Sequence, residues 1–163
     1  MSKRRGQRPH GRGGKQFLKL YMEVIRHANF HMLSPKAVKL LISVGSFYSG
    51  FNNGDLSVTI KVMKPCGWSS NGQMRAALDE LLYYGFLIKT RQGGRNLCSL
   101  YALAWEPIDH CNGKHDVAET NKGSDQWKKP REKYDQKNKQ SRGAVFGKSE
   151  IQTVVPFPVK AEV

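Results

Sequence analysis

Residues 67–106 read GWSSNGQMRAALDELLYYGFLIKTRQGGRNLCSLYALAWE, and the expected fold is built around this stretch. Its first half repeats apolar side chains at the spacing of an amphipathic helix with one buried face. The positions that carry this pattern are Met74, Ala77, Leu78, Leu81 and Leu82. Ser69 or Ser70 can cap the start of the helix, and Gly85 stands where a left-handed residue ends one.

The second half of the stretch predicts a β-hairpin. Residues 86–91 and 97–105 are rich in apolar and β-branched side chains, and residues 92–96 between them contain two glycines, as hairpin loops do. In the second strand the larger alternate side chains are expected to face the core; they are Leu97, Ser99, Tyr101, Leu103 and Trp105. Lys89, Arg91 and Arg95 concentrate positive charge around the loop.

Two further helices are expected before this stretch. Ser34-Pro35 predicts a helix start, apolar residues then recur at helical spacing, and Gly50 suits the helix end. Residues 56–64 are open to two interpretations. Their β-branched residues favour a strand, whereas Ser57 as cap and Pro65 as terminator favour a short helix. A short helix is preferred because a tight turn and the amphipathic helix follow it.

A helix, a short helix, a tight turn, an amphipathic helix and a basic hairpin, in that order, are typical of a winged helix-turn-helix. The sequence also resembles the winged helix-turn-helix proteins of bacteria, prophages and plasmids, which include transcriptional regulators and replication initiators. The segments that carry the resemblance are NNGDL (52–56), GWS (67–69), LDELL (78–82), GF (85–86), TRQGG (90–94) and LYAL (100–103). The resemblance covers residues 34–106 and implies an α+β fold of three helices with a β-hairpin wing. The β-rich residues 58–62 depart from it.

In proteins of this fold the amphipathic helix enters the major groove, and its first residues meet base edges. The residues that the resemblance assigns to base edges here are Ser70, Asn71, Gln73 and Arg75. Ser69 and the free N–H groups of the helix end can hold a phosphate, and the hairpin cations Lys89, Arg91 and Arg95 would add phosphate contacts. The alternative is that these residues form only a solvated helix face.

The charge of the whole chain points to a polyanionic partner. It carries 27 lysines and arginines against 13 acidic residues, a formal net charge of +14. Three regions are expected: a disordered basic arm (1–16), a DNA-binding domain (17–108) and a mostly disordered charged tail (109–163). The arm arginines expected to contact DNA are Arg4, Arg5, Arg8 and Arg12. The alternatives are that the arm only aids solubility, and that the apolar end at 154–159 is either a docking peptide or inert.

Several other classes of protein fit the sequence poorly. No segment has the roughly 20 apolar residues of a membrane-spanning helix, and no apolar signal-peptide region follows the basic N-terminus. Three scattered cysteines suit a reducing compartment, so a cytoplasmic location without membrane partners is expected. His110, Cys111 and His115 supply at most three metal ligands, and an exposed polar stretch is the preferred interpretation. No catalytic motif or cofactor motif is found, so a non-enzymatic protein is expected.

The sequence therefore predicts a protein that binds double-stranded DNA. The expected role is a transcriptional regulator or a replication-initiation factor of bacterial or mobile-element type, and the sequence does not separate the two. One alternative is a winged-helix adaptor or inhibitor that binds another protein. Another is RNA binding, which is less favoured because no aromatic stacking platform is recognisable. The sequence leaves open a homodimer and a protein partner for the C-terminal tail.

Overall fold

The computed structural model describes residues 17–135, which form five α-helices and one antiparallel sheet of three strands. The helices are α1 (Met22–Arg26), α2 (Ala28–His31), α3 (Pro35–Gly45), α4 (Ile60–Met63) and α5 (Asn71–Tyr84). The strands are β1 (Leu56–Ser57), β2 (Leu87–Arg91) and β3 (Leu100–Leu103), in the spatial order β1-β3-β2. The α+β class predicted from the sequence is confirmed.

The amphipathic helix α5 forms where its apolar pattern predicts. Ser70 caps it, since the Ser70 Oγ accepts the Gln73 N–H at 3.4 Å. Of the five predicted apolar positions, four are buried and Leu82 is half-buried. Gly85 ends the helix with φ +77°, and the Phe86 N–H closes the last turn on the Leu81 carbonyl at 3.0 Å.

Helix α3 begins as predicted but ends five residues early. Its cap is Ser34, whose Oγ accepts the Ala37 N–H at 3.2 Å. The predicted end at Gly50 is wrong, because the helix stops at Gly45. The side chain of Asn52 binds the Phe47 carbonyl and the Ser49 N–H, and these bonds stabilise a turn in place of further helix.

Residues 56–64 combine both interpretations. The first two form strand β1, which pairs with Leu100 and Tyr101 of β3. Helix α4 follows, capped by Thr59 rather than the predicted Ser57. Pro65 lies inside a short 3-10 helix, Lys64–Cys66, that continues α4. Pairing with β3 holds Ser57 in extended backbone, so the helix can start only after it.

Strand β3 is buried on both faces. Tyr101 and Leu103 belong to the main core as predicted, but Leu100 and Ala102 on the opposite face are buried as well. Leu97 was expected to face the core, yet its side chain is 49% exposed because it lies in the hairpin loop. The predicted strand over 97–105 therefore shortens to four residues.

The expectation of disorder from residue 109 onward does not fit residues 109–135, which pack against the domain. Trp127 is only 3% exposed, and its ring lies 6.4 Å from that of Phe86. The side-chain amide of Asn29 donates to the carbonyls of Trp127 and Lys129, both at 2.8 Å. The buried Trp127 ring and the hydrogen bonds from Asn29 hold this segment against the domain, although the segment itself contains few apolar residues. The arm over 1–16 and the tail over 136–163 lie outside the described residues.

Candidate nucleic-acid interface

The turn before α5 is fixed by the tryptophan in it. Trp68 is 5% exposed, and its indole N–H donates to the Ser43 Oγ of α3 at 3.4 Å. The ammonium of Lys39 lies 5.3 Å from the centre of the Trp68 ring and donates to the Gly67 carbonyl at 3.2 Å. These contacts hold the N-terminal end of α5 at one position against α3.

The polar side chains predicted for this end lie on the outside of the fold. Asn71, Gln73 and Arg75 are exposed, whereas Met74 between them is buried. Ser69 is also exposed, but Ser70 is half-buried and its hydroxyl is used as the helix cap. Because α5 has 14 residues and its first N–H groups carry partial positive charge, this end favours anions.

Arg75 and Asp79 lie within electrostatic reach of the sheet. Burial raises the pKa of the Tyr101 hydroxyl; a hydrogen bond with Ser99 and the charge of Arg75 lower that pKa, and Asp79 raises it. Tyr101 belongs to β3, so the charges of Arg75 and Asp79 act on a residue of the sheet. Helix α5 also contacts β2, the first strand of the β2–β3 hairpin.

The hairpin presents two of its three predicted cations to solvent. Arg95 stands at the tip, in a turn closed by two hydrogen bonds between the main chains of Gly94 and Leu97, and it is exposed. Lys89 is exposed as well, and its ammonium donates to Gln92 Oε1 at 3.0 Å. Both can reach an anionic surface laid across the loop.

The guanidinium of Arg91 is not presented to solvent like the side chains of Lys89 and Arg95. Its guanidinium turns back into the protein, where Nη1 donates to the Lys114 carbonyl at 2.7 Å and Nη2 donates to the Cys98 carbonyl at 3.0 Å. The structure thus places the Arg91 side chain differently from the predicted phosphate contact. Lys114, the partner of Arg91, lies in the segment expected to be disordered, so the sequence does not predict this contact.

Two lysines that are not among the residues predicted to contact DNA lie beside α5. Lys36 of α3 and Lys133 line a cleft of about 530 Å³ together with Gly72 and Gln73. Glu80 also lines this cleft, but its two carboxylate oxygens accept from the N–H and the hydroxyl of Ser34 at 2.6 and 2.7 Å. Two aromatic residues of the otherwise polar segment that contains Lys133, Trp127 and Tyr134, indicate that it packs on the domain, and both contact the core.

The three candidate metal ligands do not form a site. Between residues 17 and 135, no group of three or more His, Cys, Asp or Glu side chains is placed to hold a metal ion. His115 is buried and its Nε2 lies 2.8 Å from the Asp109 carbonyl, whereas His110 is exposed. The preferred interpretation of an exposed polar stretch therefore fits His110 but not His115.

Arg4, Arg5, Arg8 and Arg12, the arm arginines expected to contact DNA, lie outside the described residues. Among the helices between residues 17 and 135, none has the length and apolar character needed to cross a membrane. Comparison with protein-family models, with curated proteins and with solved structures gives no match to this chain.

Proposed function

We propose that this protein is a winged-helix protein that binds double-stranded DNA, with α5 in the major groove and the β2–β3 hairpin against the backbone. One observation carries the proposal: the longest described helix exposes Asn71, Gln73 and Arg75 at its N-terminal end, and the hairpin that follows this helix exposes Arg95. Arginine can bind guanine with two hydrogen bonds, and Asn or Gln can do the same with adenine. The order α3, β1, α4, α5, β2, β3 supports the winged-helix assignment.

Charge supports the same partner. The formal net charge is +14, and Lys36 and Lys133 add cations in the cleft beside α5. A helix inserted in the major groove has phosphates on either side of it, so cations on its flanks can neutralise them. The role that we propose is transcriptional regulation or replication initiation of bacterial or mobile-element type.

A protein–protein adaptor is the second candidate, and exposed apolar side chains favour it. Phe17 is 78% exposed, Phe51 64% and Met22 56%. Large exposed apolar side chains mark a surface that binds another protein when they form one contiguous patch. An adaptor of this kind would bind one protein tightly and would not bind duplex DNA.

A salt series with the full chain separates the two candidates. The affinity for a random-sequence duplex is measured by fluorescence anisotropy at several salt concentrations. DNA binding predicts that log affinity falls linearly with log salt, with a slope of about −0.9 for each phosphate neutralised. Absence of duplex binding at low salt would contradict the proposal and leave the adaptor.

A further inference from the structure

Arg91, the last residue of β2, has most of its hydrogen-bonding capacity turned inward. Two guanidinium nitrogens donate to the carbonyls of Lys114 and Cys98, and the Nε group is buried without a hydrogen-bond partner among residues 17–135. At least three of the five N–H groups of arginine are therefore unavailable to an outside anion. Arg95, four residues later, is exposed at the hairpin tip.

The segment that Arg91 binds also contacts β2 and the turn before β1. We call residues 107–116 the outer segment. The Asp116 N–H donates to the Thr90 carbonyl at 3.0 Å, and β2 has only β3 as a strand neighbour. The ammonium of Lys114 pairs with Asp55, which precedes β1. The outer segment thus contacts both β2 and the turn before β1.

Arg91 is the one described side chain that binds the outer segment and the hairpin loop together. Its Nη1 reaches the outer segment at Lys114, and its Nη2 reaches the returning arm of the loop at Cys98. Hydrogen bonds from a charged donor are stronger than neutral ones, and the planar guanidinium fixes the direction of both. If Arg91 moved outward to meet a phosphate, both carbonyls would lose this donor.

We infer that Arg91 is a positioning residue, which fixes the β2–β3 hairpin loop (residues 92–99) to the outer segment and so sets the place of Arg95 relative to α5. It does not contact phosphate. The part of this inference that concerns DNA rests on the proposed function, whereas the part that concerns the loop does not. A loop held in this way presents Arg95 without a further ordering cost on binding.

Hydrogen exchange of the full chain without DNA tests the positioning role. Arg91→Ala should speed exchange of the Gly94, Leu97 and Asp116 amides by about tenfold or more, because a hydrogen bond to a charged group is worth at least that factor. Arg95→Ala is the matched control and should leave these amides as in the parent. If Arg91→Ala fails to fold, Arg91→Gln, of similar length and without charge, is measured instead. Unchanged exchange in the folded variant overturns the inference.

Duplex binding supplies the second readout. Arg95→Ala should make the slope of log affinity against log salt shallower by about 0.9, as the loss of one phosphate contact predicts. Arg91→Ala should weaken binding while changing the slope by less than half as much. A full loss of about 0.9 in the Arg91 variant overturns the inference, since it would identify a phosphate contact. If the parent binds no duplex, the proposed function fails, and hydrogen exchange alone decides the positioning role.

Discussion

The side chain of Asn53 pairs with the main chain of Leu103 as a neighbouring strand would. Its Oδ1 accepts the Leu103 N–H at 2.7 Å, and its Nδ2 donates to the Leu103 carbonyl at 3.0 Å. The same Nδ2 donates to the carbonyls of Glu106 and Pro107 at 3.1 and 2.9 Å. Asn53 is fully buried, so this amide joins the turn before β1 to the chain that leaves β3.

Asn53→Ala should therefore lower the free energy of unfolding by about 1–3 kcal/mol, the cost of leaving buried main-chain groups without partners. Urea denaturation monitored by circular dichroism measures the loss. The control is Asn52→Ala: the hydrogen bonds of Asn52 are exposed, so its replacement should cost less than that of Asn53, about 0.5–1 kcal/mol. Equal losses in the two variants would show that Asn53 is an ordinary turn residue.

Two structural features require glycine at position 85. Its φ is +77°, and a Cβ at this position would lie 2.9 Å from the main-chain carbonyl carbon of Gln126. Gly85→Ala should lower the free energy of unfolding by about 1–2 kcal/mol from the backbone conformation alone, with a further loss from displacing residues 126–127. Thermal denaturation measures this.

Gly72→Ala is the control for that substitution. Gly72 lies inside α5, and nothing lies within 4 Å of the place a Cβ would take. Alanine should stabilise the helix there by about 0.5–1 kcal/mol. A loss for Gly85→Ala of no more than about 1–2 kcal/mol, which the backbone conformation alone explains, would mean that residues 126–127 do not pack against Gly85.

Tyr48 should make stability fall at high pH. Burial raises the pKa of its hydroxyl above the ordinary value, and the charges of Glu106, Asp109 and Tyr21 raise it further. In the unfolded chain tyrosine ionises near pH 10, so above about that pH the unfolded state has lost a proton that the folded state keeps. The free energy of unfolding therefore decreases as pH rises above about 10. Urea titrations between about pH 8 and 11 should show a shallower decrease for Tyr48→Phe than for the parent; identical decreases would contradict this role.

The sequence predicts the elements whose signals are local. The apolar spacing from Met74 to Leu82, the serine cap and Gly85 together define α5, and each of these signals depends only on nearby residues. The boundaries near Gly50 and Ser57 could not be predicted in the same way, because side-chain bonds of Asn52 and pairing with β3 decide them.

The same distinction between local and long-range signals applies to the candidate DNA-binding surface. Exposure of Asn71, Gln73 and Arg75 follows from helical periodicity alone. The inward turn of Arg91 depends on Lys114. Lys133 is followed by Tyr134, whose N–H donates to the Tyr84 hydroxyl at 2.8 Å. Isolated aromatic residues in a polar segment have no periodicity, so nothing in the local pattern reveals where they pack.

Lys133 provides a test of the flank of α5. Lys133→Gln should make the salt slope of duplex binding shallower by about 0.9 if the lysine neutralises one phosphate. Lys129→Gln is the control: it removes the same charge from the same segment, and Lys129 is not among the residues that line the cleft beside α5. Equal slopes for Lys133→Gln and the parent would remove this lysine from the interface.

Binding of the Arg75→Ala and Arg95→Ala variants to two duplexes tests directly whether α5 and the hairpin contact DNA. Selection of bound fragments from genomic DNA first supplies a preferred duplex, and a scrambled duplex of equal length serves as its partner. At one fixed salt concentration, Arg75→Ala should weaken binding to the preferred duplex by about 1–3 kcal/mol and relax the preference at one base pair. Arg95→Ala should weaken binding to both duplexes by similar factors, because phosphates carry no sequence information. If both variants bind both duplexes as the parent does, α5 and the hairpin do not contact DNA and the central claim is wrong.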